Sequence, residues 1–497
     1  MQATMVMKEK TVNFDYDSTE SSFWQGVGKQ LLEAMIPNTI HITCPHGTAD
    51  LSVKKRGTYT EDGVVKPSMF VDKVVNNIYG LAKSVYKKVY LTCIHPESNN
   101  YKAYILRPTD SGIYADYGSI DDVAKGNYRT VKTPYESYLY WIRYYEKLSK
   151  GYKDRSAILL DTTPVRKSSK KAVAVNSTND KVSAIEEVSA VNKADNAMLY
   201  KLLTGYAKKV VNEVLATPQN VTERQVAVCR KLWNKLGTYK TVSAFNKCLA
   251  ELISLSPRKR NPLQDDVKDF FAYSERDFAD IINFEENLIL AMEGSIGKAN
   301  VDYNEKNLFR NTEIFLANEK QKDEVMKILG TSDLKNKVKR IWRVKPLEQE
   351  KKFAKYCKEN GIKTIKKFWH GSRNENWASI VQNGLLLNPN AVITGKMFGQ
   401  GIYFAPSPAK SFGYTSYNGS YWANGKANCG FMGIYATAYG TPYMTHSYGD
   451  HNGPATTKAN KCNCLHATPA NTGLRNDEVV FYNESAVVMN YLVEFGD

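Results

Sequence analysis

Three short signatures in the last 130 or so residues of the chain constrain its fold more than any other feature: Trp369-His370-Gly371-Ser372-Arg373, Gly401-Ile402-Tyr403-Phe404-Ala405 and Tyr482-Asn483-Glu484. A His, a Tyr and a Glu this far apart in sequence matter only where a fold brings them together. Each sits in a short apolar or aromatic run of strand type, with glycines where a backbone has to pass close to something else. Val479-Val480-Phe481-Tyr482 leads into Glu484, and Tyr491-Leu492-Val493 follows. A carboxylate inside such a strand is costly to bury unless it is paired or has a task.

These residues resemble the catalytic domain of the poly(ADP-ribose) polymerases, the His-Tyr-Glu branch of the ADP-ribosyltransferases. Phe368 to Arg373 is similar to the family's first nucleotide-binding strand. Asn376 to Ile380 followed by Asn383-Gly384-Leu385 resembles its next helix and exit. The run from Thr394 through Lys396, Met397 and Gly401 to Ala405 matches the second signature almost letter for letter, and Lys410, Ser411 and Tyr414 continue in register. The resemblance covers residues 334–497.

It implies NAD as substrate and a role for each residue. The backbone of Gly371 pairs with the nicotinamide carboxamide, the Ser411 hydroxyl adds a contact, and Tyr403 and Tyr414 sandwich the ring. His370 holds a ribose hydroxyl at the adenosine end. Ser372, Phe404, Ala405 and Lys410 complete the expected NAD-binding set. Glu484 binds the 2′-hydroxyl of the nicotinamide ribose, stabilises the oxocarbenium-like state and polarises the acceptor. The expected catalytic residues are therefore Glu484, His370 and Tyr403, and no metal is required. Fixed charge of this kind is worth on the order of 3–4 kcal/mol per group. Glu484 accompanies chain elongation in the family, so polymer synthesis is the leading expectation, with single transfer and a silent nucleic-acid-binding module as alternatives. Leu386 stands where relatives often carry an Arg, which implies a weaker hold on the adenosine end.

The remaining sequence bounds the setting. At 497 residues the chain has room for several domains, and 42% hydrophobic residues supply real cores. No apolar run is long enough for a membrane span. The N-terminus lacks the pattern of a secretion signal. Eight cysteines are too few for a disulfide scaffold and read as reduced thiols of a cytoplasmic or nuclear protein. Cys462-x-Cys464-x-His466 is spaced too tightly for a usual zinc site, and no second ligand pair stands at finger distance.

The net charge is +16, yet from Phe368 onward seven Lys and Arg meet seven Asp and Glu. The basic excess lies upstream, interleaved with aromatic residues, which suits nucleic acid as well as it suits a solvated surface.

The expected fold class is α+β and multidomain, with a mixed or antiparallel β catalytic domain at the C-terminus. Residues 1–95 read as a small α/β unit, with helices over Phe23–Met35 and Val71–Tyr86, a strand at Ile40–Thr43 and a hairpin turn over Thr58–Val65. Residues 96–161 contain strands at Asn99–Ile105 and Ile113–Ser119 and an aromatic helix at Tyr135–Lys150. This order resembles a WGR domain, with Tyr117-Gly118-Ser119 where the namesake Trp-Gly-Arg stands, and it implies possible contact with DNA. Residues 162–194 read as a flexible linker. Residues 195–333 read as helical, with segments Met198–Leu215, Glu223–Leu236, Val242–Leu255, Val267–Glu293 and Asn304–Leu329, where the family places a regulatory subdomain. Arg258-Lys259-Arg260, between two prolines, is expected to be an exposed basic loop. Residues 334–497 are the catalytic domain.

Overall fold

The computed structural model describes the chain apart from residues 9, 34–38, 62–63, 161–182, 219–220, 261–266, 297–307, 310–311, 388–396 and 418–426. Residues 162–182 of the expected linker and 394–396 of the second signature thus lie outside the described residues. The chain divides into two compact units. One is Met1–Thr162 with Ile253–Phe271, and the other is Thr163–Leu252 with Ala272–Asp497.

The first unit starts with β1 (Gln2–Met7), β2 (Lys10–Asp15), α1 (Glu20–Glu33), β3 (Thr39–Cys44), β4 (Gly47–Glu61) and β5 (Val64–Ile78). The strands form one antiparallel sheet in the order β2-β1-β3-β4-β5. Strand alternation lines Ala3, Met5, Ile40, Ile42, Ala49 and Leu51 against Phe23, Trp24, Val27 and Leu31 of α1.

Here the expected helix over Val71–Tyr86 is wrong. Residues up to Ile78 are the second half of β5, paired with β4 from Val71↔Val53 to Ile78↔Gly47. Val71, Val74, Val75 and Ile78 fit a helical spacing, but they are β-branched, and Asn76-Asn77 between them is a poor helix segment. A waiting partner strand decided the outcome.

The unit continues with β6 (Val89–His95), β7 (Asn100–Thr109), β8 (Gly112–Ser119), α2 (Ile120–Ala124), β9 (Arg129–Thr130), α3 (Leu139–Ser149), β10 (Lys153–Asp154) and α4 (Ser156–Leu159). These strands make a second antiparallel sheet, β10-β6-β7-β8-β9. β6 falls within the first expected segment but is bonded to β7 throughout, from Val89↔Leu106 to His95↔Asn100. The two sheets are tied through their helices. A Cβ on Gly28 of α1 would stand 2.9 Å from the Trp141 carbonyl oxygen of α3, and Trp141 Nε1 donates to Ser21 Oγ at 2.7 Å.

The returning segment corrects the expectation of an exposed Arg258-Lys259-Arg260 loop. Arg258 is 2% exposed. Its N–H donates to the Tyr101 hydroxyl at 2.7 Å, and that hydroxyl donates to the Arg258 carbonyl at 2.9 Å. Arg260 Nε donates to Asp121 Oδ1 at 3.1 Å. A buried tyrosine hydroxyl and a buried carboxylate are strong reasons for a basic segment to fold inward.

The second unit opens with α5 (Ser183–Val214), α6 (Glu223–Leu236) and α7 (Val242–Leu255), whose last turn reaches the first unit's segment. α5 begins inside the expected linker, in a run containing Ala184, Glu186, Glu187 and Ala190, all good helix formers. α8 is Phe278–Ser295, so the helix expected from Val267 starts later, after a 3-10 turn at Val267–Phe270 and a capping box of Ser274 with Asp277.

Beyond it lie β11 (Thr312–Leu316), α9 (Glu319–Leu329), β12 (Val338–Pro346) and α10 (Leu347–Glu359). Of the helix expected over Asn304–Leu329, residues 304–307 and 310–311 lie outside the described residues, and from Thr312 onward it is a strand followed by a helix. Asn318 and Gln321 form a capping box that starts α9 in the middle of it, and β11 pairs with β12. Next come β13 (Lys366–Ser372), α11 (Trp377–Asn383), β14 (Ile402–Phe404), α12 (Pro408–Phe412) and β15 (Cys429–Thr437). The unit ends with β16 (Pro442–Met444), α13 (Gly453–Ala459), β17 (Cys464–Ala467), α14 (Pro469–Thr472), β18 (Glu478–Phe481) and β19 (Val487–Gly496).

The strands form two sheets, β11-β12-β19-β15-β13 and β14-β18-β17-β16, antiparallel except where β16 runs parallel to β17. Leu199, Leu203, Trp342, Trp377, Phe404 and Phe481 share one core, so the long helix α5 is packed directly on the sheets.

Candidate active site

β14 is the element that gathers the signatures. It pairs with β18 through Ile402↔Phe481 and Tyr403↔Val480. It meets β13 through a bridge in which Trp369 and Ala405 each donate an N–H to the other's carbonyl at 3.0 Å. The strand carrying His370, the strand carrying Tyr403 and the strand leading into Glu484 are thus joined by four residues, Ile402 to Ala405.

β13 is the edge of its sheet. Trp369 turns its N–H and carbonyl outward to Ala405, and strand periodicity points the same groups of Gly371 from that edge. α12 closes over them. A Cβ on Gly371 would stand 1.8 Å from the Ser411 carbonyl oxygen and 3.3 Å from Tyr414 Cβ. Only glycine permits this approach. Ser411 is buried, and its hydroxyl donates to the Trp369 carbonyl at 3.0 Å. Tyr414 is 41% exposed.

His370 Nδ1 lies 2.9 Å from the Tyr403 carbonyl. A carbonyl only accepts, so Nδ1 carries the hydrogen, and in the neutral ring Nε2 presents a lone pair. The Tyr403 hydroxyl donates to the Gly399 carbonyl at 2.7 Å and accepts from the Phe398 N–H at 3.0 Å. Burial holds this phenol well above its ordinary pKa. With the hydroxyl so occupied, the ring face is what Tyr403 can offer a ligand.

Other expected residues have scaffolding contacts. Phe404 is buried between His370, Tyr435 and Phe481, with ring centroids 5.3–5.7 Å apart. Ala405 is buried at the bridge, and Ser372 Oγ accepts from Asn376 Nδ2 at 3.0 Å. Lys410 Nζ lies 2.6 Å from Glu478 Oε1.

Glu484 opens a 3-10 turn that Asn483 caps by accepting from the Ser485 N–H at 2.8 Å. The turn is anchored by the Tyr482 hydroxyl, which donates to the Phe398 carbonyl at 2.7 Å. Glu484 is exposed, and its Oε1 accepts from the Leu387 N–H at 2.7 Å. Glu478 and the Leu387 N–H were not anticipated. The adjacent acids Asp477-Glu478 at the head of an apolar strand were the available signal for the first, and a backbone donor leaves none.

The helices stand close behind the site. Asn287 of α8 accepts from Asn376 Nδ2 at 2.7 Å, in the turn that follows β13. Glu293 of α8 accepts from the Ser379 hydroxyl of α11 and pairs with Arg230 of α6 at 2.9 Å.

Among the described residues no three His, Cys, Asp or Glu side chains are grouped to hold a metal ion. His466 is engaged on both nitrogens. Nε2 donates to Asp477 Oδ2 at 2.9 Å, and Nδ1 accepts from the Tyr439 hydroxyl at 2.8 Å. No helix among them is long and apolar enough to cross a membrane.

Comparison with known proteins adds the following matches. Residues 319–424 match the family described as "Poly(ADP-ribose) polymerase catalytic domain". A "poly [ADP-ribose] polymerase-like 100L" of Invertebrate iridescent virus 6 is 28% identical over 183 residues, which is 35% of this chain and 95% of the relative. "Poly [ADP-ribose] polymerase 2" of Arabidopsis thaliana is 44% identical over 73 residues, 14% of this chain and 10% of the relative. The protein of the same name from Homo sapiens is 55% identical over 47 residues, 9% of this chain and 8% of the relative. The chain therefore spans nearly all of the viral relative and about a tenth of the plant and human ones. On these matches the C-terminal part of the chain is similar to poly(ADP-ribose) polymerase catalytic domains, and the activity they support is that of an NAD+ ADP-ribosyltransferase.

Proposed function

We propose that the chain cleaves NAD, releases nicotinamide and transfers ADP-ribose to a protein acceptor or to a growing polymer. The C1′–N bond breaks and its electron pair leaves with neutral nicotinamide. The acceptor oxygen bonds to C1′, and its proton passes to Glu484. Gly371 offers its N–H and carbonyl to the carboxamide, and the rings of Tyr403 and Tyr414 flank the departing base. Ser411 accepts a further hydrogen bond there while its own hydrogen stays on the Trp369 carbonyl. His370 accepts from a ribose hydroxyl through Nε2. Ser372, Phe404, Ala405 and Lys410 keep these groups in place. The Glu484 carboxylate steadies the positive charge that develops on the ribose. No step as drawn needs a metal.

The observation that carries this reading is the Gly371–α12 approach. It brings an edge of strand backbone against the Ser411 carbonyl and the Tyr414 Cβ in a gap that admits no side chain. The test is nicotinamide release and label transfer from radiolabelled NAD, resolved on a denaturing gel. A ladder supports polymer synthesis, a single band supports mono-transfer, and no release of nicotinamide refutes both.

Nucleic acid is the regulator we propose, acting through the first unit of a cytoplasmic or nuclear protein. The charge excess lies upstream of the signatures. Tyr117 is 38% exposed and stacked near Tyr104, and Arg129 stands directly across from it on β9. An exposed ring beside a guanidinium suits base stacking and phosphate contact. Nicked double-stranded DNA should stimulate release, and Arg129→Gln with Tyr117→Ala should remove the stimulation. An equal rate with and without DNA refutes this part alone.

A further inference from the structure

β18 opens with a second carboxylate, six residues before Glu484, for which the reaction above has no use. Glu478 lies opposite Ala467 of β17 and precedes Val479, the partner of Phe404. Its side chain is 12% exposed and that of its partner Lys410 is 16% exposed, with Nζ and Oε1 2.6 Å apart. Lys410 Nζ also donates to the Asp477 carbonyl at 3.3 Å. Glu478 Oε2 is buried with no hydrogen-bond partner among the described residues. So dry an ion pair is a poor way to gain stability, because desolvation offsets most of the attraction. α12 sets the pair beside the slot, because Ser411, the residue after Lys410, lies against Gly371. Burial raises the phenols of Tyr403 and Tyr414 there, and the negative charge of Glu478 adds to both.

The nicotinamide ring enters as a cation and leaves neutral. An unpaired ammonium beside its slot would repel it before the bond breaks and hardly at all afterwards. Resting on the transfer reading above, we propose that Glu478 is a positioning residue for NAD: it holds α12 to β18 through Lys410 and cancels the ammonium charge next to the slot for a pyridinium ring. Repulsion felt in the bound state and relieved as the ring turns neutral moves KM and kcat together, so the pair governs KM for NAD and leaves kcat/KM nearly unmoved.

The test is steady-state nicotinamide release by the full chain for wild type, Glu478→Gln and the conservative variant Glu478→Asp, alongside thermal unfolding. Glu478→Gln should raise KM for NAD about tenfold, the size expected of one uncompensated unit charge near the ring, with kcat raised alongside it and kcat/KM within about threefold of wild type. Glu478→Asp keeps the negative charge and should keep KM within about threefold of wild type. An unchanged KM in a folded Glu478→Gln, a fall in kcat with KM unmoved, or a Glu478→Asp as poor as Glu478→Gln overturns the proposal. Where Glu478→Gln fails to fold, Glu478→Asp decides alone, with a KM raised about tenfold counting against the proposal. A wild type that releases no nicotinamide overturns the transfer reading and this inference with it. An active wild type with an indifferent Glu478→Gln overturns this inference alone.

Discussion

Gly371→Ala is the sharpest test of how the site is built. The added methyl would stand 1.8 Å from the Ser411 carbonyl oxygen and 2.8 Å from its carbon. Carbon atoms in folded proteins hardly ever come nearer than about 3.0 Å to such an oxygen, so one side has to retreat by roughly 1.2 Å. β13 is the side that cannot move easily, since it is paired with β15 over Lys366–Ser372 and bridged to Ala405. α12 has only five residues and is held by Ser411 to Trp369 and by Lys410 to Glu478. It will give, and it carries Ser411 and the adjoining Tyr414 with it. Overpacking of this kind costs about 1–3 kcal/mol of stability. A displacement near 1 Å at a reacting site costs on the order of a hundredfold in rate. We expect kcat/KM for nicotinamide release to fall by about that factor, with a melting temperature lowered by only a few degrees and an unchanged far-ultraviolet circular dichroism spectrum. A folded Gly371→Ala variant whose kcat/KM stays within about threefold of wild type would refute the reasoning, because α12 would then have room that these distances deny it.

Other perturbations separate the remaining roles. Glu484→Gln should cut transfer by about 100-fold or more while largely sparing NAD affinity measured by calorimetry; polymer surviving in this variant would remove Glu484 from the reaction. Tyr101→Phe strips a hydroxyl that satisfies both the N–H and the carbonyl of Arg258. It should cost roughly 2–4 kcal/mol in urea unfolding and expose 253–260 to proteolysis. Burial lowers the Lys147 ammonium to a pKa of about 8. Between pH 8 and its unfolded value of 10.5, the unfolded chain therefore holds more protons, and stability should rise with pH across that window. Lys147→Met should flatten the rise, and an identical slope in the variant would contradict the burial argument.

What could be read from the sequence depended on where the deciding information lay. α6 and α7 coincide with their expected spans because local signals bound them, such as the Thr222–Gln225 capping box at the head of α6. Val71 to Ile78 failed because its spacing served a helix and a strand equally, and the choice belonged to β4, about twenty residues earlier. Arg258 failed for a different reason. Charge density argues for exposure, but the acceptors that draw Arg258 and Arg260 inward are Tyr101 and Asp121, some 140 to 160 residues away. The signatures themselves were legible as strands because each runs through a short apolar or aromatic segment, and β14 with Ala405 joins them. The supports around them were not. The N–H of Leu387 that holds Glu484 belongs to no residue type, and Glu478 gains its meaning only when Lys410 arrives from another element.

Asp477, Glu478 and Glu484 lie within eight positions, and composition cannot rank them. Their surroundings do. Asp477 accepts from the imidazole of His466, and Glu478 is paired with an ammonium at 2.6 Å. A carboxylate whose field is already cancelled by a cation has little left for a charge that develops later in the reaction. Glu484 is held instead by a neutral backbone donor, the Leu387 N–H at 2.7 Å, which orients the carboxylate without spending its charge. Among the described residues no Lys or Arg is paired with it. Adding such a cation is therefore a stricter trial than removing the acid. Asn483→Lys would put an ammonium beside an intact Glu484, and it should depress transfer while leaving the Glu484 oxygen on its N–H. If transfer is unaffected although the ammonium is seen to contact Glu484, the free negative charge at this position is not what the reaction uses.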